Sequence, residues 1–105
     1  MVVEKDGQEI ELELVFSQRR IEIIETKIGK SVMEIFNKAQ ALMTISDLKS
    51  FVIYGLKEVG KNEYINPTKA TSLAYDLLEN IGYSSLLTEV ITALERDCGF
   101  LFRGA

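Results

Sequence analysis

The first 16 residues differ in pattern from the rest of the chain, and their later part alternates strictly between charged and apolar side chains, which is typical of a β-strand with one exposed face. The clearest stretch runs from Glu9 to Leu14, and its three apolar side chains share one face. Asp6-Gly7 lies between this stretch and Val2-Val3, and both residues tolerate the positive φ of a tight hairpin turn. The pattern predicts a β-hairpin over residues 1–16, with the intervening glutamates on a solvated face that guards the strand edge.

From Ser17 onward, apolar residues recur at helical spacing, and polar caps and glycines separate the periodic segments. The predicted helix starts are Ser17, the Ser31-x-x-Glu34 capping box, Ser46-Asp47, Thr68 and Ser84 or Ser85, and the predicted ends are Gly29, Gly60, Gly82 and Gly99. The pattern predicts about five short helices in a compact bundle over residues 17–98, followed by an apolar tail over residues 99–105. We expect the third helix, which is apolar over most of its circumference, at the centre. The predicted fold class is α+β, mostly α, in a single domain.

Composition narrows the chemistry open to this chain. Its 105 residues are 47% apolar and 27% charged, as expected of one globular domain. The chain has no histidine and one cysteine, Cys98. Imidazole catalysis, an intramolecular disulfide and a multi-cysteine zinc site therefore lack the residues that they require. No signal peptide pattern and no apolar run of about 20 residues is present. We therefore expect a soluble intracellular protein that is not an enzyme and uses no cofactor, metal or membrane.

The charge distribution bears on nucleic-acid binding. The net charge is −4, which counts against a broad phosphate-binding surface. Basic residues are densest in the first predicted helix and just after it, at Arg19, Arg20, Lys27 and Lys30, but Glu22 and Glu25 lie in the same turns. A solvated face of mixed charge explains this pattern better than a phosphate-contacting face. A small helical nucleic-acid-binding or transcriptional regulatory protein stays as the alternative function.

The C-terminal segment Phe100-Leu101-Phe102 places three large apolar side chains after the last predicted helix. They either fold back over the core or dock on another chain. We expect Phe100 to pack on the protein's own core and Phe102 to contact a partner.

Several segments, taken in order, resemble a known family. The strand from Ile10 to Phe16 is followed by Ile28-Gly29-Lys30-Ser31, then by Val32 to Phe36, and later by an apolar helix that includes Phe51 to Leu56. Over residues 9–97 this order resembles the tail assembly chaperones of long-tailed phages and prophages. The resemblance implies a non-enzymatic protein of the host cytoplasm that binds the tape measure protein and helps tail tube subunits assemble around it. It assigns no role to single residues.

A chaperone of this kind needs apolar surface that contacts another chain. Ile23 and Ile53 lie off the main apolar stripes of their helices, so they are candidate contacts together with Phe100, Leu101 and Phe102, although each can equally be a core residue. The hairpin also offers a strand edge between Glu9 and Val15. We therefore expect a homo-oligomer that is small or concentration-dependent.

Overall fold

The computed structural model describes residues 1–36 and 43–101. Its N-terminal part is an antiparallel hairpin of β1 (Val2–Lys5) and β2 (Gln8–Leu14). The turn residues Asp6 and Gly7 have φ of 51° and 78°, which is the pair of positive values that a type I′ turn requires. The predicted N-terminal hairpin and the α+β fold class are confirmed.

A third strand, β3 (Leu56–Glu58), pairs antiparallel with β2 on the side away from β1. We predicted that the third helix continues to Gly60, but it ends at Gly55, so this prediction is wrong. Leu56 lies opposite Leu14 in the ladder and is fully buried, so the chain gains sheet pairing without losing apolar burial. β3 pairs with β2 from Leu12 to Leu14, so the second half of the expected edge between Glu9 and Val15 is covered, whereas Glu9 has no strand partner on that side among the described residues.

The described residues contain four α-helices rather than about five. They are α1 (Gln18–Ile28), α2 (Val32–Phe36), α3 (Ile45–Gly55) and α4 (Pro67–Asp97), followed by a 3₁₀ turn (Gly99–Leu101). Gly82, which we predicted as a helix end, has non-helical φ and ψ of 84° and 167° inside α4. The glycine therefore breaks the helical backbone, but the helix resumes at the next residue and no loop separates two helices.

Local capping confirms the predicted ends of α1 and the start of α2. The Ser17 hydroxyl accepts a hydrogen bond from the Arg20 N–H at 3.2 Å, and Gly29 has the left-handed φ of 74°. The Ser31 hydroxyl accepts a hydrogen bond from the Glu34 N–H at 3.1 Å, which is one of the two hydrogen bonds of a capping box.

Two other helix starts lie one or two residues before the predicted positions. The cap of α3 is Thr44, whose hydroxyl accepts the Asp47 N–H, and the cap of α4 is Asn66, whose Oδ1 accepts the Thr68 N–H. In α4 this shift follows from Pro67, because proline has no N–H to satisfy and its fixed φ suits the first helical position.

The core lies between the inner face of the sheet and the helices. α3 packs against α4, α1 and β2, in keeping with the expected central position of this helix. Phe51 on α3 is fully buried and meets Phe16 edge to face, with 6.2 Å between ring centroids. The buried apolar side chains are Val3, Leu12, Leu14, Phe16, Ile21, Ile24, Val32, Ile35, Met43, Leu48, Phe51, Val52, Leu56, Ala70, Leu73, Ala74, Leu77, Leu86, Val90, Ala93, Leu94 and Cys98.

Candidate protein-interaction surface

The five residues that we predicted as partner contacts lie in different settings. Ile23 on α1 is half-buried, and Ile53 on α3 and Leu101 in the C-terminal turn are partly buried against the core. Phe100 is 42% exposed, so our expectation that it packs on the protein's own core is wrong. Phe102 lies outside the described residues.

Large apolar side chains that remain exposed mark three places on the described surface. Ile45 and Tyr75 belong to α3 and α4, Val2 and Val59 belong to the sheet and its end, and Phe100 follows α4. Their exposed fractions are 54% for Val2, 53% for Ile45, 45% for Val59, 55% for Tyr75 and 42% for Phe100. Scattered exposed apolar residues are ordinary, so their grouping and neighbours decide which place can bind a partner.

Ile45, Lys49 and Tyr75 form a surface that we call the α3–α4 face. The Lys49 ammonium lies 3.7 Å from the centroid of the Tyr75 ring, so α3 and α4 meet here through a cation–π contact. Ile45 precedes Lys49 by one helical turn and therefore lies on the same side of α3. Ile53 follows Lys49 by a further turn and is half-buried, so one predicted contact residue continues this row.

The sequence places these side chains outside because other positions bury the helices. α3 buries Leu48, Phe51 and Val52, and Ile45 precedes this set as the first residue after the Thr44 cap. α4 buries Leu73, Ala74 and Leu77 and leaves the intervening Tyr75 exposed. We missed Ile45 because we placed the helix start too late. For Tyr75, the sequence offered one signal of exposure, which is that its position lies off the apolar stripe of α4.

Ion pairs hold the elements on either side of the α3–α4 face. The Lys5 ammonium lies 2.7 Å from Asp76 Oδ2 and joins β1 to α4, immediately after Tyr75. Lys30 lies 2.7 Å from Asp47 Oδ2 and joins the α1–α2 connection to α3. Within the α3–α4 face, Lys49 is the charged residue, and the exposed Glu79 follows Tyr75 by one helical turn. A partner surface that is apolar, with an acidic group placed at Lys49, suits this arrangement.

The outer face of the sheet is acidic. Val2 is paired with Glu11, and the Val59 N–H donates a hydrogen bond to the Glu11 carbonyl at 2.9 Å, so two exposed valines flank one glutamate. Glu4 lies directly opposite Glu9. We call the following residues the outer sheet face: Val2, Glu4, Glu9, Glu11, Glu13, Lys57 and Val59.

A polar network fixes the C-terminal end of α4 to the start of α1. Arg96 Nη2 donates to the Leu14 carbonyl at 2.6 Å, and the Phe16 N–H donates to Asp97 Oδ2 at 3.0 Å. The hydrogen bond from Arg96, aided by the Phe16 N–H, lowers the pKa of Asp97, and the same pairing raises the pKa of Arg96. Burial raises the pKa of the Cys98 thiol, which therefore stays protonated at neutral pH. The network sets the position from which Phe100 projects.

The basic residues considered for phosphate binding are partly engaged within the chain. The Arg20 guanidinium lies 3.6 Å from the centroid of the Tyr64 ring, and Lys30 is paired with Asp47. Arg19 and Lys27 are exposed. Two of these four basic side chains, Arg20 and Lys30, thus contact other groups of the protein. These contacts reduce the positive charge that is available to a phosphate backbone.

A solvent-open depression of about 260 Å³ lies beside the start of α4, and its walls carry charges of both signs. Its lining residues are Glu58, Lys61, Glu63, Tyr64, Ile65, Asn66 and Lys69. Across residues 1–36 and 43–101, no group of three or more acidic or cysteine side chains is placed to hold a metal ion. No helix in the same residues has both the length and the hydropathy needed to cross a membrane.

The chain was also compared with known proteins. No protein-family model, curated protein or solved structure matches it.

Proposed function

We propose that this chain is a non-enzymatic tail assembly chaperone of a long-tailed phage or prophage. In this proposal it acts in the host cytoplasm, binds the tape measure protein and assists assembly of the tail tube. The observation that carries the proposal is the resemblance over residues 9–97, whose order of elements is strand, then helices. The hairpin followed by α1, α2 and α3 has that order, and β3 then precedes α4.

The α3–α4 face supports a protein partner. Two packed helices present Ile45 and Tyr75 at about half exposure, and the Lys49 ammonium lies over the Tyr75 ring. A partner helix in contact with two such helices can cover both apolar side chains and place a carboxylate near the Lys49 ammonium. Tyrosine at the centre of such a contact provides apolar area with little loss of side-chain entropy.

This arrangement suits a chaperone because the contact is small. Two half-exposed apolar side chains and one cation provide less buried surface than the roughly 1,600 Å² of a standard stable complex. A single contact of this size dissociates readily, which allows the tape measure protein to pass from chaperone to tail tube. Several copies along a long partner can still keep its apolar segments covered.

The proposal predicts that co-expression with the tape measure protein of the same phage gene cluster raises the soluble yield of that protein and that the two co-purify. Ile45→Lys and Tyr75→Ala should each reduce co-purification about tenfold, because they remove the apolar contacts of the α3–α4 face. Val59→Lys is the matched control, since it makes the same kind of change at a similarly exposed residue on the outer sheet face.

Ile45→Lys and Val59→Lys should keep the wild-type thermal unfolding midpoint, because these side chains are about half exposed. Tyr75→Ala should lower it by only a few degrees, because it also removes the cation–π contact with Lys49. An insoluble tape measure protein in the presence of the wild-type chain would contradict the proposed function. Equal losses for Ile45→Lys and Val59→Lys would leave chaperone activity in place but reject the α3–α4 face. Salt-sensitive binding of duplex DNA by the purified chain, without tape measure binding, would favour the nucleic-acid-binding alternative.

A further inference from the structure

The outer edge of β1 has hydrogen-bonding groups that point away from the sheet. The Met1 amino group donates to the Leu12 carbonyl at 2.9 Å, and the Leu12 N–H donates to the Met1 carbonyl at 2.6 Å. In an antiparallel ladder, pairs that exchange both bonds alternate with pairs that exchange none. The N–H and C=O groups of Val2 and Glu4 therefore face outward, and among the described residues no strand lies on that side of β1.

The opposite edge of the sheet is covered by the chain itself. Lys57 of β3 forms a bridge with Tyr64, and the Ile65 N–H donates to the Leu56 carbonyl at 3.1 Å. The outer edge of β1, residues 2–5, has no such cover in the described part of the chain and contains no proline. Its lysine, Lys5, lies on the face of Val3 and is held by Asp76, so it does not guard the edge as edge lysines often do.

Charge indicates which kind of strand can pair there. A strand added to β1 places alternate side chains opposite Val2 and Glu4, on the outer sheet face. That face carries four glutamates and one lysine, and Glu4 lies directly opposite Glu9, an arrangement that destabilises a sheet unless a cation is near. Basic side chains at the two alternate positions would offset this repulsion. The residue between them would lie on the face of Val3.

We propose that the β1 edge binds an extended segment of a partner protein by strand addition, with Lys or Arg at two alternate positions and a small apolar residue between them. The site is separate from the α3–α4 face and does not depend on the tail chaperone function. A second copy of this chain fits less well, because antiparallel pairing centred on Val3 brings the Glu4 carboxylates of both copies into diagonal proximity.

The test measures binding of a fluorescein-labelled peptide, Lys-Val-Lys-Val-Lys, to the full chain by fluorescence anisotropy at low ionic strength, with Glu-Val-Glu-Val-Glu as the control peptide. The basic peptide should bind at least about tenfold more tightly than the acidic one, and added salt should weaken its binding. Glu4→Pro should weaken binding about tenfold, because proline removes the outward N–H but no hydrogen bond of the β1–β2 ladder. Glu4→Gln keeps that N–H and should lose only part of the affinity.

Amide hydrogen exchange of the wild-type chain gives a second measurement that requires no variant. Bound basic peptide should slow exchange at Val2 and Glu4 and leave Val3 unchanged, since the Val3 N–H already points into the ladder. Equal binding by Glu4→Pro, or unchanged exchange at Val2 and Glu4, would overturn strand addition and leave only attraction to an acidic surface. A dimer of the free chain that Glu4→Pro dissociates would assign the edge to a second copy and also overturn the proposal.

Discussion

At the scale of single residues, Gly55 and Phe16 show how tightly one contact can be built. A Cβ atom at position 55 would lie 2.5 Å from Phe16 Cε1 and 2.7 Å from Cζ, closer than real Cβ contacts. The Phe16 ring is 3% exposed and also meets Phe51, so it has little room to move. Glycine at the end of α3 is thus required by a side chain 39 positions earlier in the chain.

Gly55→Ala should therefore lower the free energy of unfolding by about 1–3 kcal/mol, even though alanine is the better helix former. Gly99→Ala is the matched control, because a Cβ there has no neighbour within 4 Å and should leave stability almost unchanged. Urea unfolding monitored by circular dichroism provides both values. If the two variants were equally stable, the Phe16 contact would not limit position 55.

Tyr64 shows the same dependence on distant partners. Its hydroxyl donates to the Val15 carbonyl at 2.8 Å, and its ring lies under the Arg20 guanidinium. In the sequence it belongs to the longest loop and no periodic pattern includes it. Its partners precede it by more than 40 residues, so only the folded chain reveals what it holds together.

At the scale of elements, Gly82 divides the 31 residues of α4 into two helical segments that meet at a kink. Its φ of 84° and ψ of 167° lie in a region that is open essentially only to glycine. The next residue, Tyr83, accepts a hydrogen bond from the Met43 N–H at 3.2 Å and donates one to the Met43 carbonyl. The break therefore redirects α4 so that its second half contacts the residues that lead into α3.

Gly82→Ala should destabilise the protein by about 1–3 kcal/mol, because it forces an L side chain into this region of φ and ψ. For the exposed helical residue Ser85, substitution by alanine should be neutral or slightly stabilising, since alanine favours helix. Thermal unfolding of the two variants measures the difference. A stabilised Gly82→Ala would mean that the backbone straightens there at no cost.

At the scale of the whole molecule, the C-terminal end of α4 is bonded to the junction between β2 and α1. Arg96 and Asp97 bond to the backbone of Leu14 and Phe16, which connects the last helix to the sheet and to the first helix. This network links segments that are far apart in the sequence. Its contribution to the free energy of unfolding is therefore lost when the whole chain unfolds. The partly buried Asp97 carboxylate is its central acceptor.

The network makes stability depend on pH in a definite direction. The pKa of Asp97 is lower in the folded protein than its ordinary value of about 3.9, so the folded state favours the ionised form. The contribution is present above the unfolded pKa and is lost as pH falls through the folded pKa. Asp97→Asn should therefore cost more stability at about pH 7 than at about pH 2, measured by urea unfolding at both values. The same cost at both pH values would show that ionisation of Asp97 does not stabilise the fold.

Interactions within a few residues were predictable from the sequence. The hairpin followed from strict alternation and from Asp6-Gly7, and the ends of α1 followed from Ser17 and Gly29, because turns and caps use groups three or four positions apart. The acidic outer sheet face was predictable for the same reason, since alternation alone decides which strand residues share a face. Ile53 was a candidate contact on similar grounds, and it borders the α3–α4 face.

The tertiary structure decided what depends on distant partners. Leu56 fits an apolar helix and an apolar strand equally well, and only the place beside Leu14 selects the strand. The pairing of β3 covered part of the outer side of β2 and left β1 at the edge of the sheet, and the packing of α3 on α4 left Ile45 and Tyr75 exposed. Apolar periodicity specifies that a side chain can be buried, whereas the element that covers it is chosen by contacts between segments far apart in the chain. The sequence therefore determined the hairpin, the helix signals and the acidic strand face of this protein, whereas its exposed apolar residues and its uncovered strand edge were decided only when those elements packed together.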